Sequence, residues 1–155
     1  MRSIMVVAIG LAIAACSDNT TGASTTFNAT LSSQKEVPPV AVASANGTAA
    51  CTIASPNVSC TVTIAGLSGA ATAAHIHTGN ANANGPIRVN LCGAGTAPAC
   101  PTGTSGTITS GAQAVSGISF DSLRSLLHTY GAYVNVHTAG NAGGEMRGQL
   151  FVPAP

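Results

Sequence analysis

The sequence predicts an all-β domain: an antiparallel, Greek-key-like β-sandwich or barrel of about seven or eight short strands with one short helix. Three observations predict it. From Phe27 onward, short segments of alternating or β-branched character recur, parted by turn signals at intervals of about ten residues. One stretch, SFDSLRSLLHTYG, carries leucines at helical spacing. Charged residues make up only 6% of the chain and the formal charge is +1, which offers no basic run to a nucleic acid and no acidic surface. The 45% apolar content suffices for a modest core, so one folded domain is expected from 155 residues.

The elements follow in order. Residues 1–15 read as a lipoprotein signal peptide, with Arg2, an apolar run from Ile4 to Ile13, and small residues before Cys16. The run is too short for a permanent membrane span. Ile13-Ala14-Ala15-Cys16 resembles a bacterial lipobox, which makes Cys16 the expected lipidation site and mature N-terminus. Residues 16–26 read as a flexible polar tether, able to reach about 30 Å when extended. The domain proper is assigned to residues 27–152. FNATLS alternates Phe27, Ala29 and Leu31. QKEVPPV reads as an edge strand ending in a rigid extended turn, because proline is excluded from central strands. ANGTAACTIA and VSCTVTIAGL read as a hairpin with Val58, Cys60, Val62 and Ile64 on one face. AAHIHT, PIRVNLC and GTIT are further short strands. In the helix, Leu123, Leu126 and Leu127 share a face, Ser119 or Asp121 caps the start, and Gly131 closes the end. AYVNVHT and EMRGQLFV make a final strand pair, with the helix plugging one end of the fold.

Five cysteines are an odd number for an exported protein, and lipidation of Cys16 leaves four. A hairpin centred on Ser55-Pro56 puts Cys51 opposite Cys60, within disulfide reach. Cys92 and Cys100 flank GAGTAPA, a flexible loop that a bridge would staple. The expected pairs are therefore Cys51–Cys60 and Cys92–Cys100, formed in an oxidising compartment. A zinc–cysteine cluster is the rival, but no pair has C-x-x-C spacing.

Two stretches, AAHIHTGNANANGPIRVNL and YVNVHTAGNAGGEMRGQL, share a plan. His77-Thr78 corresponds to His137-Thr138, and Arg88 to Arg147: a strand, His-Thr, a glycine-rich turn, then a strand bearing arginine. LSSQKEVPPV, AAHIHTGNANANGPI, YVNVHT and GEMRGQL, in that order, resemble the successive motifs of the CHRD domain, named for its occurrence in chordin. The resemblance runs from Phe27 to about Val152. It implies a β-sandwich-like extracellular module, often found in bacteria in secreted proteins and lipoproteins. It implies a fold and a place more than an activity.

Strand alternation puts His75 and His77 on one face, and Asn135 and His137 on one face of the later strand. Should the two strands be neighbours, three imidazoles converge, a shell suited to copper or zinc, with Glu145, Met146 or a water completing it. The competing reading is a structural network. In it the imidazoles bond loop backbone, Thr78 and Thr138 finish the strands, and Arg88, Glu145 and Arg147 tie the turns together through a Glu–Arg–His contact. His128 reads as a solvated or C-terminal helix residue. A copper–zinc superoxide dismutase arrangement needs two metals and more than the four histidines present. No nucleophile elbow appears, and Glu36 and Glu145 have nothing to pair them as hydrolytic carboxylates. The leading expectation is a membrane-anchored, non-enzymatic β-domain lipoprotein of the cell envelope, extracytoplasmic, with a binding or structural role and a protein or small-ligand partner of unknown identity. A copper- or zinc-binding protein is second, and a metal-dependent redox enzyme third.

Overall fold

The computed structural model describes residues 25–42 and 44–153; the signal, Cys16 and most of the tether lie outside these. Nine strands and one helix follow in order. They are β1 (Thr25–Ser32), β2 (Asn46–Ala54), β3 (Asn57–Ala65), β4 (Ala71–Thr78), β5 (Ile87–Cys92), β6 (Gly106–Thr109), β7 (Gln113–Ala114), α1 (Phe120–Leu127), β8 (Ala132–Thr138) and β9 (Met146–Gln149). They form one antiparallel sheet in the order β5-β4-β8-β9-β1-β2-β3-β6, with β7 added to β3. The sheet curls into a nearly closed barrel, so of the two all-β forms expected, the barrel is the one adopted. Near the remaining gap between β5 and β6, the Ser116 amide beyond β7 donates to the Arg88 carbonyl of β5 at 2.8 Å.

Period-two patterning dictates the interior. Phe27, Ala29 and Leu31 of β1 are buried, as are Ala49, Cys51 and Ile53 of β2 and Val58, Cys60, Val62 and Ile64 of β3. Ala74 and Ile76 of β4 and Val134 and Val136 of β8 join them. The β2–β3 hairpin has the expected register, with Cys51 opposite Cys60 and the turn at Ser55-Pro56. Both expected disulfides are present, with Cα atoms 4.1 Å apart for Cys51–Cys60 and 5.1 Å apart for Cys92–Cys100. The second bridge ties the end of β5 to the loop before β6. Helix α1 is capped by Ser119, whose hydroxyl accepts from the Ser122 amide at 3.0 Å. It presses Leu123 and Leu127 into the core, and the exposed His128 edges against Phe27.

Three expectations are corrected. Strand β1 begins at Thr25, inside the segment read as tether, because Thr25 and Thr26 find partners in Ile53 and Thr52. QKEVPPV is not an edge strand: β1 is paired on both sides, and Ser33–Lys35 turn into a short 3₁₀ segment that buries the Glu36 side chain. At the end of α1, Tyr130 rather than Gly131 takes the left-handed conformation, at φ 56°, while the Gly131 amide donates to the Leu126 carbonyl.

Candidate metal centre

The site lies on the face of β4, β8 and β9 opposite the apolar core. Along β4 the inward Ala74 and Ile76 alternate with His75 and His77; along β8 the inward Val134 and Val136 alternate with Tyr133, Asn135 and His137. The strands are antiparallel neighbours, with His75 opposite Asn135, His77 opposite Tyr133 and Ala73 opposite His137. That register places all three imidazoles together. A polar row on the outside of a barrel would ordinarily be solvated. Here the three histidines are only 7–8% exposed.

The loop from Gly79 to Pro86 is fastened above the face by several hydrogen bonds. The amide of Gly85 donates to the Tyr133 hydroxyl at 3.1 Å, and a side chain at position 85 would strike the Thr78 carbonyl. Arg147 is the main fastener. Its two terminal nitrogens donate to the carbonyls of Asn80 and Ala83 and to the side-chain oxygens of Asn84 and Gln149, while its guanidinium sits 3.5 Å above the Tyr133 ring. His77 stacks on the same tyrosine, at 5.1 Å between ring centroids.

The hydrogen bonds fix the imidazole tautomers. His77 Nδ1 lies 2.8 Å from the Gly85 carbonyl, and His137 Nδ1 lies 3.0 Å from that of Ala142. A carbonyl only accepts, so both Nδ1 atoms carry the proton and both Nε2 atoms hold a lone pair. His137 Nε2 lies 3.1 Å from His75 Nδ1 and accepts a hydrogen bond from it. His77 Nε2 is buried and has no partner among the described residues. One nitrogen from each ring falls within 4.8 Å of the others. Around tetrahedral zinc, with bonds of about 2.0–2.1 Å, ligand nitrogens stand roughly 3.3 Å apart. His75 Nδ1 and His137 Nε2, 3.1 Å apart, are near that spacing, and both would present lone pairs once the proton between them moves to His75 Nε2. Carbonyl partners behind metal-binding imidazoles are the usual way of orienting them.

Electrostatics keep the cluster neutral. Burial, reinforced by the neighbouring His137 and His77, pulls the His75 imidazole down to about 4. Burial likewise lowers His77 and His137, against the opposing pull of their carbonyl hydrogen bonds. Neutral imidazoles are the form that binds a metal.

Glu145 does not join the histidines. It precedes β9, after Gly144 at φ 130°, so strand alternation does not carry its side chain to the Arg147 position. Instead its Oε1 accepts from the Ser68 amide at 2.5 Å. Its Oε2 accepts from the hydroxyls of Ser68 and Thr138, each at 2.5 Å, and from Asn141 at 2.8 Å. Burial opposes ionisation there, but these donors outweigh it and hold the carboxyl below its usual range. The expected Glu–Arg–His network therefore separates into independent contacts. Glu145 holds Thr138, Arg88 donates from Nε to the Thr78 hydroxyl at 3.2 Å, and Arg147 holds the loop. The place of Tyr133 and the burial of Glu36 escaped the sequence reading. Tyr133 was findable, since Y-x-N-x-H puts it on the His137 face; Glu36 was not, because the turn that buries it breaks the strand pattern.

The two disulfides fit an oxidising compartment, and among the described residues no helix is long and apolar enough to cross a membrane. Comparison with curated proteins gives no match, and neither does comparison with solved structures. The family model described as the CHRD domain matches residues 27–150, from the first core phenylalanine through both His-Thr strands to the end of β9, and the chain belongs to that family.

Proposed function

We propose that this domain binds one transition-metal ion, copper or zinc, through His75, His77 and His137, and acts by binding rather than by turnover. The observation that carries the reading is the buried lone pair of His77 Nε2, unpartnered among the described residues, beside two further imidazoles held neutral. A purely structural cluster gains nothing from an orphaned acceptor, which costs about 1–3 kcal/mol. A metal ion would satisfy it. The binding role is favoured over catalysis because both Glu145 oxygens are already engaged by fixed donors, leaving that carboxylate unavailable as a general base beside the metal. Metal-stripped protein loaded with zinc or copper and then dialysed should retain one ion per chain by elemental analysis. His75→Ala and His137→Ala should each lose it while keeping the β-sheet circular-dichroism signal. Wild-type protein that retains no stoichiometric metal contradicts the reading.

We further propose that the domain is displayed outside the cytoplasm on a lipid attached to Cys16. The support is the signal-like residues 1–15 ending in Ile-Ala-Ala before that cysteine, and the pairing of the other four cysteines. Cys16→Ser should abolish incorporation of a radiolabelled fatty acid; unchanged labelling refutes the anchor.

A further inference from the structure

We propose that a second site, the cleft between the Gln34–Pro39 turn, the tip of the 79–86 loop and the final strand, binds a small organic carboxylate carried on a flat ring. The cavity measures about 600 Å³, a size at which proteins commonly hold small ligands, and Lys35, Glu36, Tyr130, Arg147, Gln149 and Phe151 are among its walls. None of the three clustered histidines lines it.

Charge is the first observation. Arg147 is 1% exposed, yet every acceptor of its terminal nitrogens is a neutral carbonyl or amide oxygen. Lys35 likewise donates to a neutral group, the Thr30 carbonyl. A buried cation without a counter-ion is costly. The one acid on the walls is Glu36, whose Oε1 is buried without a partner among the described residues. Burial raises its carboxyl to about 7, against the pull of Arg147, so below neutral pH it supplies little compensating charge. A ligand carboxylate would supply it.

Backbone conformation is the second observation. Tyr130 is the only non-glycine among the described residues with positive φ, at a position after a helix where glycine is usual. The residue is 60% exposed, and its turn is held by hydrogen bonds to backbone carbonyls, from the Gly131 amide to the Leu126 carbonyl and from the Gln149 side-chain amide to the Tyr130 carbonyl at 2.6 Å. The conformation sets an aromatic face at the mouth of the cleft, with Phe151 as another wall. Such a face takes the flat side of a ring, aromatic or pyranose.

Isothermal titration of the metal-free protein at about pH 6, in the presence of a chelator, tests the proposal. The probes are benzoate against benzamide, and galacturonate against galactose. At least one carboxylate should bind about tenfold or more tightly than its neutral counterpart, since it gains a hydrogen bond to the Lys35 ammonium and the attraction of the Arg147 charge. The winning pair identifies the ring as aromatic or sugar. Lys35→Gln should weaken that binding about threefold or more. Tyr130→Gly should weaken it similarly while raising the thermal midpoint, because glycine relieves the left-handed backbone; a residue there only for the fold would not show that opposition. Carboxylates that bind no better than their neutral counterparts, or affinities untouched by both substitutions, overturn the proposal.

Discussion

His75, His77 and His137 come together because two short strands are antiparallel neighbours in one register. Slipping that register by one residue would turn the imidazoles into the core and the valines outward. Their burial has a consequence for stability. His75 falls from 6.5 unfolded to about 4 folded, so its contribution is present above pH 6.5 and is lost as pH falls towards 4. His77 and His137 act in the same direction. Glu36 acts oppositely: with its carboxyl raised from 4.5 to about 7, its contribution is present below 4.5 and is lost as pH rises through 7. Urea unfolding of the metal-free protein should therefore show stability declining between pH 6.5 and 4, with a shallower decline in His75→Asn. Equal slopes for the two proteins would contradict the neutral-histidine account. The grouping of His75, His77 and His137 was legible from residue type and alternation, whereas the place given to Glu145 beside them was not. The tautomers were not, because Gly85 and Ala142 supply backbone carbonyls, which leave no trace in side-chain pattern.

At the scale of elements, strands proved more legible than the turns that join them. AAHIHT, AYVNVHT and the Cys51–Cys60 hairpin are regular, and their side-chain directions follow from a period of two. QKEVPPV and the GGE segment before β9 break that period, so the burial of Glu36 and the direction of Glu145 depended on local backbone turns. Glu145 shows what such a turn can secure. Its carboxylate joins Ser68 in the β3–β4 connection to Thr138 at the end of β8 and Asn141 in the β8–β9 turn. Glu145→Gln would place an amide donor where hydroxyls and an amide already donate. The expected loss is about 2 kcal/mol in unfolding free energy, with zinc affinity changed little, since the residue lies outside the imidazole set. A large loss of zinc affinity at unchanged stability would instead make Glu145 part of the metal shell.

At the scale of the whole molecule, the barrel has two buried layers of different chemistry. Inside it, alanine, valine, isoleucine and leucine fill a modest apolar core, helped by disulfides closing short loops. Outside, on β4, β8 and β9, a polar layer of histidine, tyrosine, asparagine and arginine is covered by a loop fastened through Arg147. The outer layer lends little hydrophobic stability, and the proposed metal ion would give its arrangement a purpose. X-ray absorption spectroscopy on the zinc-loaded protein tests this most directly. The account predicts three imidazole nitrogens at about 2.0–2.1 Å from the ion. A shell with fewer than three imidazoles, or one containing sulfur, would contradict it.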